Sequence, residues 1–119
     1  MLISLDHVQV AMPRGREDEA RAFYGDLLGL TELPKPAALS GRGGCWFALG
    51  DRQLHLGVEA DFRPARKAHV ALSVADLDGL RARLAVAGVA VRDDDALEGR
   101  RRFFADDPFG NRTEFVERQ

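Results

Sequence analysis

The sequence has a single cysteine, Cys45, which excludes an internal disulfide. Cys45 stands in Cys45-Trp46-Phe47 with no basic neighbour to lower its pKa, so core packing rather than catalysis is its expected role. A basic surplus is missing too. Lys and Arg number 17 against 19 Asp and Glu, for a formal net charge of -2, which is not the balance of a nucleic-acid binder. No apolar run approaches the roughly 20 residues needed to span a bilayer. Met1-Leu2-Ile3-Ser4-Leu5-Asp6 has neither the basic start nor the small-residue cleavage site of a signal peptide. The expectation is a cytoplasmic protein with no nucleic-acid or membrane partner. Its 119 residues, 45% hydrophobic and 30% charged, suit one soluble domain that can bury a core without staples.

Alternation and helical spacing organise what is there. Ile3 to Met12 reads as a strand with Val8, Val10 and Met12 on one face and Leu5, His7 and Gln9 on the other. Ala20, Phe23, Tyr24, Leu27 and Leu28 then form an amphipathic stripe, which predicts a helix over 16–29 ending near Gly29. Leu30 to Leu33 is a short strand and Pro34 to Gly44 a loop. Gly44 to Leu49 and Arg52 to Val58 are joined by Gly50-Asp51 at hairpin spacing. Leu54, Leu56 and Val58 share one face of the second arm, which turns His55 the other way. Glu59 to Lys67 has no period and contains Pro64, so it reads as a connector.

The second half repeats the first. Ala68 to Val74 alternates with His69, Ala71 and Ser73 opposite Val70, Leu72 and Val74. Asp76 caps a helix over 76–88 that carries Leu77, Leu80, Leu84 and Ala87 and stops at Gly88. Val89 to Arg92 and Arg100 to Ala105 are strands. The turn Asp107-Pro108-Phe109-Gly110 then leads into a last strand, 112–117, where Glu114 and Phe115 point to opposite faces. Each half is therefore βαβββ: module one about 1–60, the connector about 59–67, and module two about 68–119. Gly50-Asp51-Arg52 before His55 echoes Gly110-Asn111-Arg112 before Glu114. Neither half can cover both faces of its sheet alone. The expected architecture is α+β, with paired modules forming a curved mixed sheet that encloses a cleft, helices outside.

Leu5-Asp6-His7-Val8, Phe23-Tyr24-Gly25-Asp26-Leu27-Leu28-Gly29-Leu30, Ala68-His69-Val70 and Asp107-Pro108-Phe109-Gly110-Asn111-Arg112-Thr113-Glu114-Phe115 together resemble the vicinal oxygen chelate superfamily, which has the glyoxalase, bleomycin-resistance and extradiol dioxygenase fold. The resemblance spans essentially the whole chain. It implies a divalent metal ion held by His7, His69 and Glu114. Two imidazoles and a carboxylate suit Zn, Fe, Mn, Co or Ni and leave positions open for two vicinal substrate oxygens. Taken singly, each histidine reads as a hydrogen-bonded core or rim residue. Three ligand-type residues at equivalent positions of a repeat favour a site instead, because unpaired buried charge is costly.

His55 takes a place where glyoxalase I has a glutamate. It is expected to be a fourth ligand, a general base or a stacking residue, since imidazole serves all three uses. Gln9 and Trp46 are expected to face substrate, as is Phe103 on the penultimate strand. Arg63 and Arg102 belong to basic clusters whose ordinary role is solvated surface. Their functional role would be to hold a carboxylate or phosphate, hence a small-molecule substrate of anionic character. The resemblance implies a lyase or isomerase that chelates vicinal oxygens and stabilises an enolate, with His55 or Glu114 moving the proton. The alternatives are a non-haem iron dioxygenase and a metal-free antibiotic-binding or resistance protein. A fosfomycin-type transferase fits less well, because Gln9 replaces the threonine usual there. A homodimer is expected, with each site built within one chain or shared across two.

Overall fold

Strand parity is what sorts this chain into a helix-covered face and an open face. In the computed structural model, which describes residues 1–119, β1 (His7–Met12) leads into α1, an α-helical turn at Glu17–Ala20 that continues as a wider π-type helix through Arg21–Leu27. β2 (Glu32–Leu33), a 3-10 segment (Ala37–Arg42), β3 (Cys45–Leu49) and β4 (Arg52–Val58) complete the first module. The second module has β5 (Val70–Val74), α2 (Leu77–Val86), β6 (Arg92–Asp93), β7 (Arg102–Asp106) and β8 (Arg112–Glu117). The chain divides into two compact units, Met1–Arg63 and Pro64–Gln119.

Each unit builds its own four-stranded mixed sheet, in the orders β1-β4-β3-β2 and β5-β8-β7-β6. The hydrogen-bonded ladders therefore form two open sheets rather than one continuous one. In each, the first strand of the module pairs in parallel with the last, and the hairpin and short strand follow antiparallel. β1 begins at His7, not Ile3, because its partner runs out. His7 is opposite Gln53, and the Gly50-Asp51 turn lies just before β4. Leu2, Ile3 and Leu5 are consequently exposed. The loop expected over 34–44 contains the 3-10 turn at Ala37–Arg42.

In the first unit the helix stripe and the inward strand residues meet. Met12, Ala20, Phe23, Tyr24, Cys45, Phe47, Leu54 and Leu56 are all buried, and burial in this core raises the Cys45 thiol pKa to about 11. In the second unit Leu72, Leu77, Leu84, Phe103, Ala105 and Phe115 are buried. Asp76 caps α2 by accepting the Gly79 N–H at 2.9 Å. Burying each large side chain contributes about 1.5–3 kcal/mol.

The turn before β8 is a built object. The Asp107 carboxylate accepts the N–H groups of Phe109 at 2.9 Å and Asn111 at 2.8 Å, and the Asn111 side-chain amide at 2.8 Å. Gly110 supplies the positive φ of 89° that the chain reversal needs. This turn sets the β7–β8 register, pairing Phe104 with Glu114 and Arg102 with Val116.

Candidate functional site

The site residues gather on the face of each sheet that its helix does not cover. On the first, His7, Gln9, Trp46 and His55 come together. Trp46 and His55 are cross-strand partners, and their rings stack with centroids 3.9 Å apart and planes at 2°. His7 stacks on His55 as well, at 4.3 Å and 21°. His55 thus lies within a three-ring stack and is only 4% exposed. Its Nε2 is 2.8 Å from Gln53 Oε1. A carbonyl oxygen can only accept, so Nε2 carries the proton and Nδ1 the lone pair. Burial first, and the neighbouring His7 second, push the His55 pKa below its ordinary value.

His7 Nδ1 lies 2.9 Å from Asp6 Oδ2. That contact puts the proton on Nδ1 of a neutral ring and leaves Nε2 as the nitrogen with a lone pair to offer. The hydrogen bond to His7 lowers the pKa of Asp6. Gln9 lies over Gly57, where a Cβ would come within 2.6 Å of its amide. Glycine at 57 is what gives Gln9 its room.

On the second sheet His69, Arg102, Phe104 and Glu114 come together. His69 Nδ1 donates to the Lys67 carbonyl at 3.0 Å, and His69 Nε2 lies 3.0 Å from Glu114 Oε1. Glu114 is 7% exposed, and the same oxygen takes an ion pair from Arg102 Nη1 at 3.2 Å. Arg102 Nη2 also donates to Asp94 Oδ2 at 3.2 Å. Phe104 is the floor of this group: His69 meets its edge, and Arg102 and Arg112 lie over it with Cζ at 5.1 and 4.2 Å from the centroid.

Phe103, expected to face substrate, does not. It is fully buried on the helix side against Phe115, ring centroids 5.3 Å apart, with the Arg81 guanidinium of α2 over its ring. The register explains this, because Phe104 is the residue opposite Glu114 and strand neighbours alternate faces. Arg63 is exposed at the end of the first unit, in the connector.

The donor chemistry suits a divalent metal at His69 and Glu114. With Nδ1 committed to a carbonyl, a neutral His69 aims its lone pair at a carboxylate, an arrangement that calls for a proton or a cation between them. Metal–nitrogen and metal–oxygen bonds of about 2.1 Å put neighbouring ligand atoms about 3.0 Å apart at right angles and about 3.4 Å apart in a tetrahedron, close to the 3.0 Å found here. No three His, Cys, Asp or Glu side chains form a group able to hold a metal. The ligand-type residues come as two pairs, His7 with His55 and His69 with Glu114. Asp6, Gln53, Lys67 and Asp94, which hold these pairs and Arg102, were not among the expected site residues. The Asp6-His7 adjacency was a usable signal, whereas Asp94 lies in a loop without periodicity.

Solved structures share this fold over the whole chain. A glyoxalase family protein from Bacillus anthracis is 49% identical with a TM-score of 0.96, covering 100% of this chain and 98% of that one. TnmS3, an antibiotic binding protein from a Streptomyces species, is 25% identical with a TM-score of 0.76, covering 100% and 99%. A lactoylglutathione lyase from Agrobacterium tumefaciens is 22% identical with a TM-score of 0.69, covering 92% and 91%. No curated protein matches the sequence. The family model for the Glyoxalase/Bleomycin resistance protein/Dioxygenase superfamily matches residues 4–115, and the chain belongs to that superfamily.

Proposed function

We propose that the protein is a metal-dependent, glyoxalase-like lyase or isomerase acting on a small anionic substrate. The observation that carries this reading is the His69–Glu114 contact, an imidazole nitrogen and a buried carboxylate oxygen 3.0 Å apart, which a shared divalent cation satisfies. His69 and Glu114 would hold that ion. His7, its Nε2 left open by Asp6, is the further ligand-type residue that the family resemblance implies, and the protein is proposed to work as a homodimer. The bound ion would supply Lewis acidity towards two vicinal oxygens of the substrate.

The rest falls to the chain's own groups. His55, kept neutral by burial and with Nε2 tied to Gln53, has Nδ1 to accept a proton or to join the ligand set. Trp46 holds the plane of that ring, and Gln9 offers an amide to a substrate oxygen. Arg112, over Phe104, supplies a fork for a substrate carboxylate or phosphate, whereas both terminal nitrogens of Arg102 are already engaged by Glu114 and Asp94. With Fe²⁺ the same two histidines and one carboxylate would serve a dioxygenase.

A metal-free binding protein is the second reading. It is favoured by the ion pair of Arg102 with Glu114, which already neutralises the carboxylate, and by the ring stack. Elemental analysis of protein purified without chelator separates the two. The enzyme reading expects about one divalent ion per chain, lost in Glu114→Ala. Protein that takes up no Zn²⁺, Mn²⁺, Co²⁺, Ni²⁺ or Fe²⁺ even when supplied would leave the binding-protein reading.

A further inference from the structure

A buried carboxylate keeps its charge only when paired, and Glu114 is paired by a residue that is itself shared. Arg102 sends Nη1 to Glu114 Oε1 at 3.2 Å and Nη2 to Asp94 Oδ2 at 3.2 Å. Its Nε is buried with no hydrogen-bond partner, so this guanidinium does not use all its donors where it sits. Beneath it is the Phe104 ring, 5.1 Å from Cζ, a contact that constrains direction little. Asp94 is a partly exposed carboxylate, with the Ala96 N–H on Oδ1 at 2.8 Å and Oδ2 turned to Arg102.

We propose that Arg102 is the resident counter-cation of Glu114, a positioning residue that holds the carboxylate beside His69 until a divalent cation takes its oxygen, and that Asp94 is the acceptor onto which the guanidinium then turns. The inference rests on the metal reading above. A cation arriving at Oε1 meets a guanidinium on the same atom, and two positive groups cannot share that oxygen cheaply. The guanidinium has one fork arm already on Asp94, so it can leave Glu114 without losing its counter-charge. Arg102 thereby competes with the ion, and Asp94 moderates the competition.

Plain long-range charge predicts something different, and this makes the proposal testable. Arg112 lies over the same Phe104 ring, Cζ 4.2 Å from the centroid, but is not an ion-pair partner of Glu114. The measurement is calorimetric titration of the full chain with Zn²⁺ alone, repeated with Co²⁺. Arg102→Gln should bind about tenfold more tightly than the parent, whereas Arg112→Gln should stay within about twofold. Asp94→Asn should weaken binding about threefold or more in the parent and have almost no effect when combined with Arg102→Gln, because Asp94 acts through Arg102.

Unchanged affinity in Arg102→Gln, an equal gain in Arg112→Gln, or additive behaviour of the double variant would overturn the inference while leaving the metal reading standing. If Arg102→Gln does not fold, Asp94→Asn carries the test alone, and undiminished affinity there overturns it. Failure of both the parent and Arg102→Gln to bind either ion overturns the metal reading and this inference with it.

Discussion

His55 stands in the first sheet where Glu114 stands in the second. His55 is opposite Gln9 across β1 and β4, Glu114 is opposite Ala71 across β5 and β8, and His7 and His69 each lie two residues earlier in their chain segments. One backbone position is thus used twice to bury a titratable group, by opposite means. The imidazole is enclosed by rings and kept neutral. The carboxylate is paired with the Arg102 guanidinium.

That contrast makes Glu114 the more expensive residue to change. Glu114→Gln keeps the shape but leaves Arg102 with Asp94 as its one remaining anion, and the change should lower unfolding free energy by about 1–3 kcal/mol, read from urea denaturation. Metal binding should be lost in the same variant. A variant as stable as the parent that still binds metal would mean that Glu114 is neither a ligand nor the anchor of Arg102.

The His55 side of the contrast predicts a pH dependence. Its folded pKa lies below the ordinary value of about 6.5, with burial the first cause and His7 the second. Between the folded and unfolded values the unfolded chain binds more protons, so stability rises with pH there. The contribution is present above about pH 6.5 and is lost as pH falls through the folded pKa. Thermal melts followed by circular dichroism between about pH 7.5 and 5 should show the midpoint falling on acidification, and His55→Gln should flatten that fall. Equal slopes in the two proteins would remove His55 as the source.

Much of this was legible because strands alternate strictly. The faces of His7, Gln9, His55 and Glu114 follow from the apolar residues beside them, and each is found on the expected face, whereas the face of Trp46 comes from its pairing with His55. Phe103-Phe104 offers no such contrast. Two identical residues in succession leave the face to the cross-strand register, which the Asp107–Asn111 turn sets through side-chain hydrogen bonds, and a one-residue error reverses every side chain. Ile3 to Asp6 continues the alternation of β1 yet lies outside it, since pairing depends on how far the neighbouring strand reaches. The link from Arg102 to Asp94 joins a strand to a loop, and loops carry no period.

The two phenylalanines give the most direct check of the register. Phe103 is fully buried between Phe115 and α2, so Phe103→Ala should cost about 3–5 kcal/mol of unfolding free energy and leave metal affinity of the remaining folded protein unchanged. Phe104→Leu keeps an apolar side chain of similar size and should cost about 1.5 kcal/mol or less. It removes the ring that His69 meets edge-on and that Arg102 and Arg112 cover, so it should shift the His69 ring resonances in an NMR spectrum, which Phe103→Leu should leave nearly in place. The reverse pattern, with Phe104→Leu silent at His69 and Phe103→Leu perturbing it, would mean that β7 is turned over relative to β8 and that Phe103, after all, faces the site.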